Sequence, residues 1–145
     1  MHSNFDPGND DWLAIRQAAR QVSQLFERHL APSGVTLAQF LILRVLHRSK
    51  GTTMRALAEL TSTDRTTLVR TLKPLLSRAL IVADCMSGQR RYHVLTLTEA
   101  GLAKLEEALP YWSNAHASFE RQFGANQVKA LRSELLRLKQ DVVLT

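Results

Sequence analysis

The chain has 145 residues, which suits one domain with a sizeable core. Hydrophobic residues make up 45% and charged residues 22%, a balance that excludes general disorder. The formal net charge of +6 favours a polyanionic partner without identifying one.

Residues 1–10 are polar and acidic, with no basic-then-apolar leader, so no secretory signal is expected. From Asp11 to about Leu30 an amphipathic helix is predicted. Its apolar positions Trp12, Ile15, Ala19, Val22 and Phe26 recur at helical spacing. Ala31-Pro32-Ser33-Gly34 ends it. Thr36-x-x-Gln39 is a capping-box pattern, in which hydroxyl and amide each satisfy an orphan backbone N–H. Leu37 to Leu46 is apolar almost all round, which predicts a central, buried second helix; Ser49-Lys50-Gly51 turns out of it.

Thr53 to Leu60 reads as a short third helix with Met54, Leu57 and Ala58 inward, followed by a polar break over Thr61-Ser62-Thr63-Asp64. The next helix runs to about Arg78. Leu68, Leu72, Leu75 and Ala79 form its inner stripe, and Thr63, Thr66, Arg70, Lys73 and Ser77 lie opposite. A short helix, a tight polar turn and a helix with a basic, hydroxyl-rich outer face make a helix-turn-helix pattern.

Leu80–Cys85 and Arg91–Leu97 are extended runs around Met86-Ser87-Gly88-Gln89, a β-hairpin with a basic flank at Arg90-Arg91. Thr98 then caps a long helix to about Phe123. Its seam is Leu102, Leu105, Leu109, Trp112, His116, Phe119 and Phe123. After Gly124 a last helix, about Asn126 to Val142, carries Val128, Leu131, Leu135, Leu138 and Val142. The expected fold is mainly α with a small β-wing. A winged helix-turn-helix core over 36–97 is flanked by dimerisation helices at 11–30 and 98–142, all in one domain over 1–145.

No apolar run reaches the roughly 18 residues of a membrane span. The single cysteine, Cys85, leaves no internal disulfide, and the five histidines lack ligand spacing. A cytoplasmic protein with no metal or other cofactor and no membrane partner is expected. There is no phosphate-cradling glycine loop and no clustered nucleophile and base, so no enzyme is indicated.

The order of these elements resembles the MarR family of transcriptional regulators, from about Trp12 to Leu138. The resemblance is carried by Val35-Thr36-Leu37-Ala38-Gln39-Phe40 and Leu57-Ala58. It continues through Asp64-Arg65-Thr66-Thr67-Leu68-Val69-Arg70-Thr71-Leu72 and Leu95-Thr96-Leu97-Thr98-Glu99-Ala100-Gly101. It implies a homodimer interlocked through the first, fifth and sixth helices, with recognition helices in adjacent major grooves and wings at the minor groove. It also implies a cleft for a small, often aromatic, ligand that lowers DNA affinity. Three positions depart from the pattern. Gln89 stands where the family often has an acid, no glycine follows the recognition helix, and Pro74 lies inside it.

The expected function is that of a sequence-specific regulator, a repressor released by a small ligand, which binds a pseudo-palindromic operator in double-stranded DNA as a homodimer. Thr66, Thr67 and Arg70 are the candidates for base edges, and Ser62, Thr63, Arg65 and Lys73 those for phosphates. Arg90 and Arg91 are candidates for the minor groove, Arg91 first, against the alternative of charges guarding an edge strand. A small aromatic or anionic effector is assigned to Trp12, Phe40, Arg44, Trp112 and His116, with an interface role for His116 as the alternative. Cys85 reads either as a plain strand residue or as a redox sensor beside the wing arginines. A protein-interaction winged helix would need an apolar or acidic outer face over 63–77, and that face is neither.

Overall fold

The computed structural model describes residues 6–85 and 93–142. A short 3₁₀ turn, Pro7–Asn9, leads into α1 (Asp11–Leu30); a second, Ala31–Ser33, leads into α2 (Leu37–Ser49). There follow β1 (Thr52–Thr53), α3 (Met54–Thr61), α4 (Arg65–Ser77), β2 (Ile81–Cys85), β3 (His93–Leu97), α5 (Glu99–Phe123) and α6 (Ala125–Asp141). The expected helices and both long strands are present, within about two residues of the sequence reading. No single helix among the described residues is long and apolar enough to cross a membrane.

The contacts divide the chain into two compact units. One runs from Leu30 to Tyr111, and the other holds α1 to His29 together with the chain from Trp112 on. The division falls inside α5, directly after Tyr111 and one residue past Pro110, rather than at the start of that helix.

In the central unit, α2 is the buried helix that its composition predicts. Thr36 Oγ1 accepts the Gln39 N–H at 3.1 Å, and Gln39 Oε1 accepts the Thr36 N–H at 3.0 Å, completing the capping box. Phe40, Ile42, Leu43 and Leu46 on α2 join Leu57, Leu68, Leu72, Leu75, Ile81 and Leu95 in one core. The sheet has three antiparallel strands in the order β1-β3-β2. Ile81 faces Leu97 and Cys85 faces His93 across the hairpin, while Thr52 and Thr53 pair with Leu95 and Val94.

Where α4 ends, Ala79 adopts φ +55°. The Leu80 N–H reaches the Leu75 carbonyl and the Ala79 N–H the Leu76 carbonyl, each at 3.0 Å. This pair is a Schellman closure with alanine in the left-handed position that glycine usually takes. Buried Leu75 and Leu80 supply its apolar part. Directly beyond, α5 starts on the same junction. Thr98 Oγ1 donates to the Ala79 carbonyl at 2.7 Å and accepts the Gly101 N–H at 3.0 Å. The Thr98 N–H donates to the Leu80 carbonyl at 3.1 Å. Gly101 is required there, because a Cβ on it would collide with the Leu80 carbonyl oxygen.

Two further bonds hold the entrance to α2. An Arg78 guanidinium N–H donates to the Gly34 carbonyl at 3.1 Å, and Lys104 Nζ donates to the Ser33 carbonyl at 3.1 Å. Lys104 also pairs with Glu107 at 2.8 Å.

The other unit has a thinner core. Phe26, Ala115, Ser118 and Val128 are its buried residues, while Ile15, Phe123, Leu135, Leu138 and Val142 stay exposed.

A left-handed backbone costs a non-glycine residue about 1 kcal/mol or more. Ala79→Gly should therefore raise the unfolding free energy by about 0.5–1 kcal/mol in urea titrations, net of the entropy that glycine adds to the unfolded chain. An unchanged or lower midpoint would contradict the strain assigned to this position.

Candidate nucleic-acid interface

The helix-turn-helix is built by local hydrogen bonds. α3 ends in a second Schellman closure, in which Thr63 N–H reaches the Ala58 carbonyl at 3.0 Å and Ser62 N–H the Glu59 carbonyl at 3.2 Å. Ser62 takes φ +51° to allow it. Thr61 Oγ1 donates to the Leu57 carbonyl at 2.7 Å, and Thr63 Oγ1 to the Thr61 carbonyl at 3.1 Å. Both hydroxyl protons thus serve the turn.

Asp64 is the N-cap of α4. One carboxylate oxygen accepts the Thr67 N–H and the other the Thr67 hydroxyl, both at 2.8 Å. These bonds, the backbone one first, hold the Asp64 carboxyl below its ordinary value. The hydroxyl proton of Thr67, one of the base-edge candidates, is engaged in this cap.

Along α4, Leu68, Leu72 and Leu75 are buried, and Arg65, Thr66, Arg70, Lys73 and Ser77 are exposed. Arg65, Arg70 and Lys73 have no ion-pair partner among the described residues, so three uncompensated cations edge one helix. The helix continues through Pro74, which lacks the N–H that would bond the Arg70 carbonyl, and the last turn closes with Arg78 N–H on the Pro74 carbonyl at 3.0 Å.

A short two-helix motif with a basic second helix, followed directly by an antiparallel hairpin, is a winged helix-turn-helix. The sequence model described as MarR family matches residues 33–88. A regulator from Thauera aromatica, described as a putative transcriptional regulatory protein for the hcr operon, is 31% identical over 99 residues. That match covers 66% of this chain and 55% of the relative, so the chain spans about half the length of that protein. The M. tuberculosis transcriptional regulator MosR, solved in complex with DNA, is 31% identical at TM-score 0.79, covering 91% of this chain and 95% of that one. BpsR of Bordetella bronchiseptica, whose DNA binding is regulated by 6-hydroxynicotinic acid, is 25% identical at TM-score 0.78, over 88% of this chain and 96% of the other.

The chain belongs to the MarR family. In this MarR fold the capping-box stretch Val35–Phe40 opens α2, the Asp64–Leu72 stretch opens α4, and Leu95–Gly101 joins β3 to α5. The wing arginines Arg90 and Arg91, with Gln89, lie outside the described residues. Cys85 is the last residue of β2, paired with His93.

The residues assigned to an effector are placed differently from one another. Phe40 is fully buried in the core of the central unit, at 0% exposure, and packs rather than lines a surface. Arg44, four residues on, is half-buried. Trp12 is 65% exposed, with the Arg16 guanidinium 5.4 Å from its ring centre. Trp112 and His116 do meet, with ring centres 5.0 Å apart, and Phe26 joins both edge-on at 4.8 and 4.9 Å. Phe26 was read only as a helix-stripe residue. Its seven-residue spacing from Ala19 gives no hint of its partners.

Because the folded Asp64 value lies below the ordinary 3.8, its cap stabilises fully above that pH and fades as pH falls through the lowered value. Wild type should lose more urea resistance than Asp64→Asn between pH 6 and pH 2, since asparagine caps without titrating. Parallel pH profiles for the two proteins would contradict the assigned cap.

Proposed function

We propose that this chain is a DNA-binding transcriptional regulator that places α4 in the major groove as half of a symmetric homodimer. The observation that carries this is the outer face of α4, where exposed Arg70 and Lys73 stand without acidic partners beside Thr66, with a third unpaired cation, Arg65, at the first turn of the helix. Such a face matches the requirements of duplex DNA, cations for phosphates and a forked guanidinium for guanine. Arg70 and Thr66 address base edges. Ser62, Thr63, Arg65 and Lys73 address the backbone, Thr63 by turning its hydroxyl proton from the Thr61 carbonyl to a phosphate oxygen. Arg90 and Arg91 serve the minor groove from the wing.

The homodimer is supported by uncovered apolar surface. Ile15 on α1, Phe123 on α5 and Leu131, Leu135, Leu138 and Val142 on α6 are exposed at helical spacing. A second copy covers such faces and sets two reading helices on a pseudo-palindrome. Its role is repression, relieved by an aromatic acid that stacks on the Trp112 and His116 rings, which Phe26 backs from the core. The relation of BpsR to 6-hydroxynicotinic acid supports that ligand class. The ligand weakens DNA binding by preferring a form of the dimer that DNA disfavours, with a typical coupling of ~1–3 kcal/mol.

One binding assay tests these assignments together. An operator enriched from random duplexes should bind two chains in a single step. Arg70→Ala should cost about 1–3 kcal/mol on that operator and little on random DNA, whereas Lys73→Ala should weaken both alike and lower the salt slope by about 1. Aromatic carboxylates that raise the melting temperature should lower operator affinity. Equal losses on operator and random DNA for Arg70→Ala would remove Arg70 from base reading. One chain per site would overturn the dimer, and stabilising carboxylates without effect on DNA would overturn the effector assignment.

A further inference from the structure

Val69 is a partly exposed apolar side chain on the flank of α4, between its buried stripe and its polar outer face. It is 39% exposed, the fifth residue of α4, between exposed Thr66 one turn before it and exposed Lys73 one turn after. At ~100° per residue it lies about 60° from Thr66 and about 40° from Lys73 around the axis, and about 60° from buried Leu72, so it borders the polar face. Its neighbours Leu68 and Leu72 go to the core, so the exposed part of Val69 gains nothing from them. A β-branched residue also has lower helix propensity than the alanine or lysine that would suit a solvated position. Exposed Leu76 sits two turns later, near the end of the helix, whereas recognition helices address base edges through their N-terminal residues.

The Thr67 hydroxyl proton is meanwhile committed to Asp64. The early part of α4 therefore offers fewer polar readers than its composition suggests, and one methyl-bearing reader more. In the major groove one base edge is apolar, the 5-methyl of thymine.

Resting on the placement of α4 in a major groove, we propose that Val69 is a specificity-determining residue that reads the 5-methyl group of one thymine in each half-site. Its isopropyl group packs on the methyl and excludes water from it, while Thr66 and Lys73 hold polar and phosphate contacts on either side. The selectivity is for thymine over cytosine and over uracil, and it needs no hydrogen bond.

The test replaces each thymine of an enriched operator, one at a time, with deoxyuridine, which removes only the methyl group. Wild type and Val69→Ala are titrated on every duplex. Alanine keeps α4 folded, since it is the best helix former. The wild type should lose about 3- to 10-fold in affinity at one thymine per half-site, the size expected for burying one methyl contact. Val69→Ala should bind the unmodified operator more weakly by a similar factor and be indifferent to the methyl at that position. A flat scan for the wild type would overturn the assignment while leaving DNA reading intact, as would equal losses in both proteins. Failure of the wild type to enrich any sequence would instead remove the DNA reading on which the assignment stands, and the assignment with it.

Discussion

The hydroxyl of Thr98 fixes the junction on which the reading unit depends. It caps α5 through the Gly101 N–H and, with its proton, holds the Ala79 carbonyl at the end of α4. The Thr98 N–H takes the next carbonyl, that of Leu80. One residue thus joins the recognition helix, the foot of the hairpin and the start of the long helix. Arg78 and Lys104 extend the belt to the loop before α2. Leu68, Leu72 and Leu75 anchor α4 from beneath, but apolar packing tolerates sliding and rotation more readily than directed bonds do. Directed bonds at its end therefore set which residues face outward.

That constraint gives the outer face its meaning. Arg70 and Lys73 share one side of a helix that cannot turn freely, with Arg65 at its first turn, all without ion pairs among the described residues. The N-terminal end of the helix is closed by the Asp64 carboxylate, a charge that the local N–H groups favour. The same carboxylate orients Thr67 and so withdraws a hydroxyl proton from the surface. Polar capping and polar recognition compete for the same side chains in a short helix, and at Thr67 the cap takes the proton.

Much of this was legible in the sequence because it is periodic or locally signalled. Apolar spacing located α1, α4, α5 and α6, and Thr36-x-x-Gln39 and Thr98 marked two helix starts with the bonds that later appear. Other features carry no such mark. β1 is two residues long, too short for any alternation, and exists only because Leu95 and Val94 offer an open edge. Ala79 was read as an ordinary inner-stripe residue, and the lack of glycine beside it as the absence of a glycine cap. The backbone forms the Schellman closure regardless, since the burial of Leu75 and Leu80 offsets the left-handed alanine. Phe40 looked like a candidate for stacking a ligand, but its ring lies on the buried face of α2 and packs in the core. The division of the chain after Tyr111 is a property of three-dimensional contact that an unbroken α5 seam conceals.

If the Thr98 junction governs presentation of α4, removing its hydroxyl should impair DNA binding before it impairs folding. The most direct measurement is operator affinity for Thr98→Val and Thr98→Ser beside the wild type, with thermal melts of all three. Valine keeps the shape and loses two hydrogen bonds, each worth about 0.5–1.5 kcal/mol, while serine keeps both. The account predicts a folded valine variant that binds operator about 5- to 10-fold more weakly and a serine variant close to wild type. A folded valine variant that binds as tightly as the wild type would contradict it.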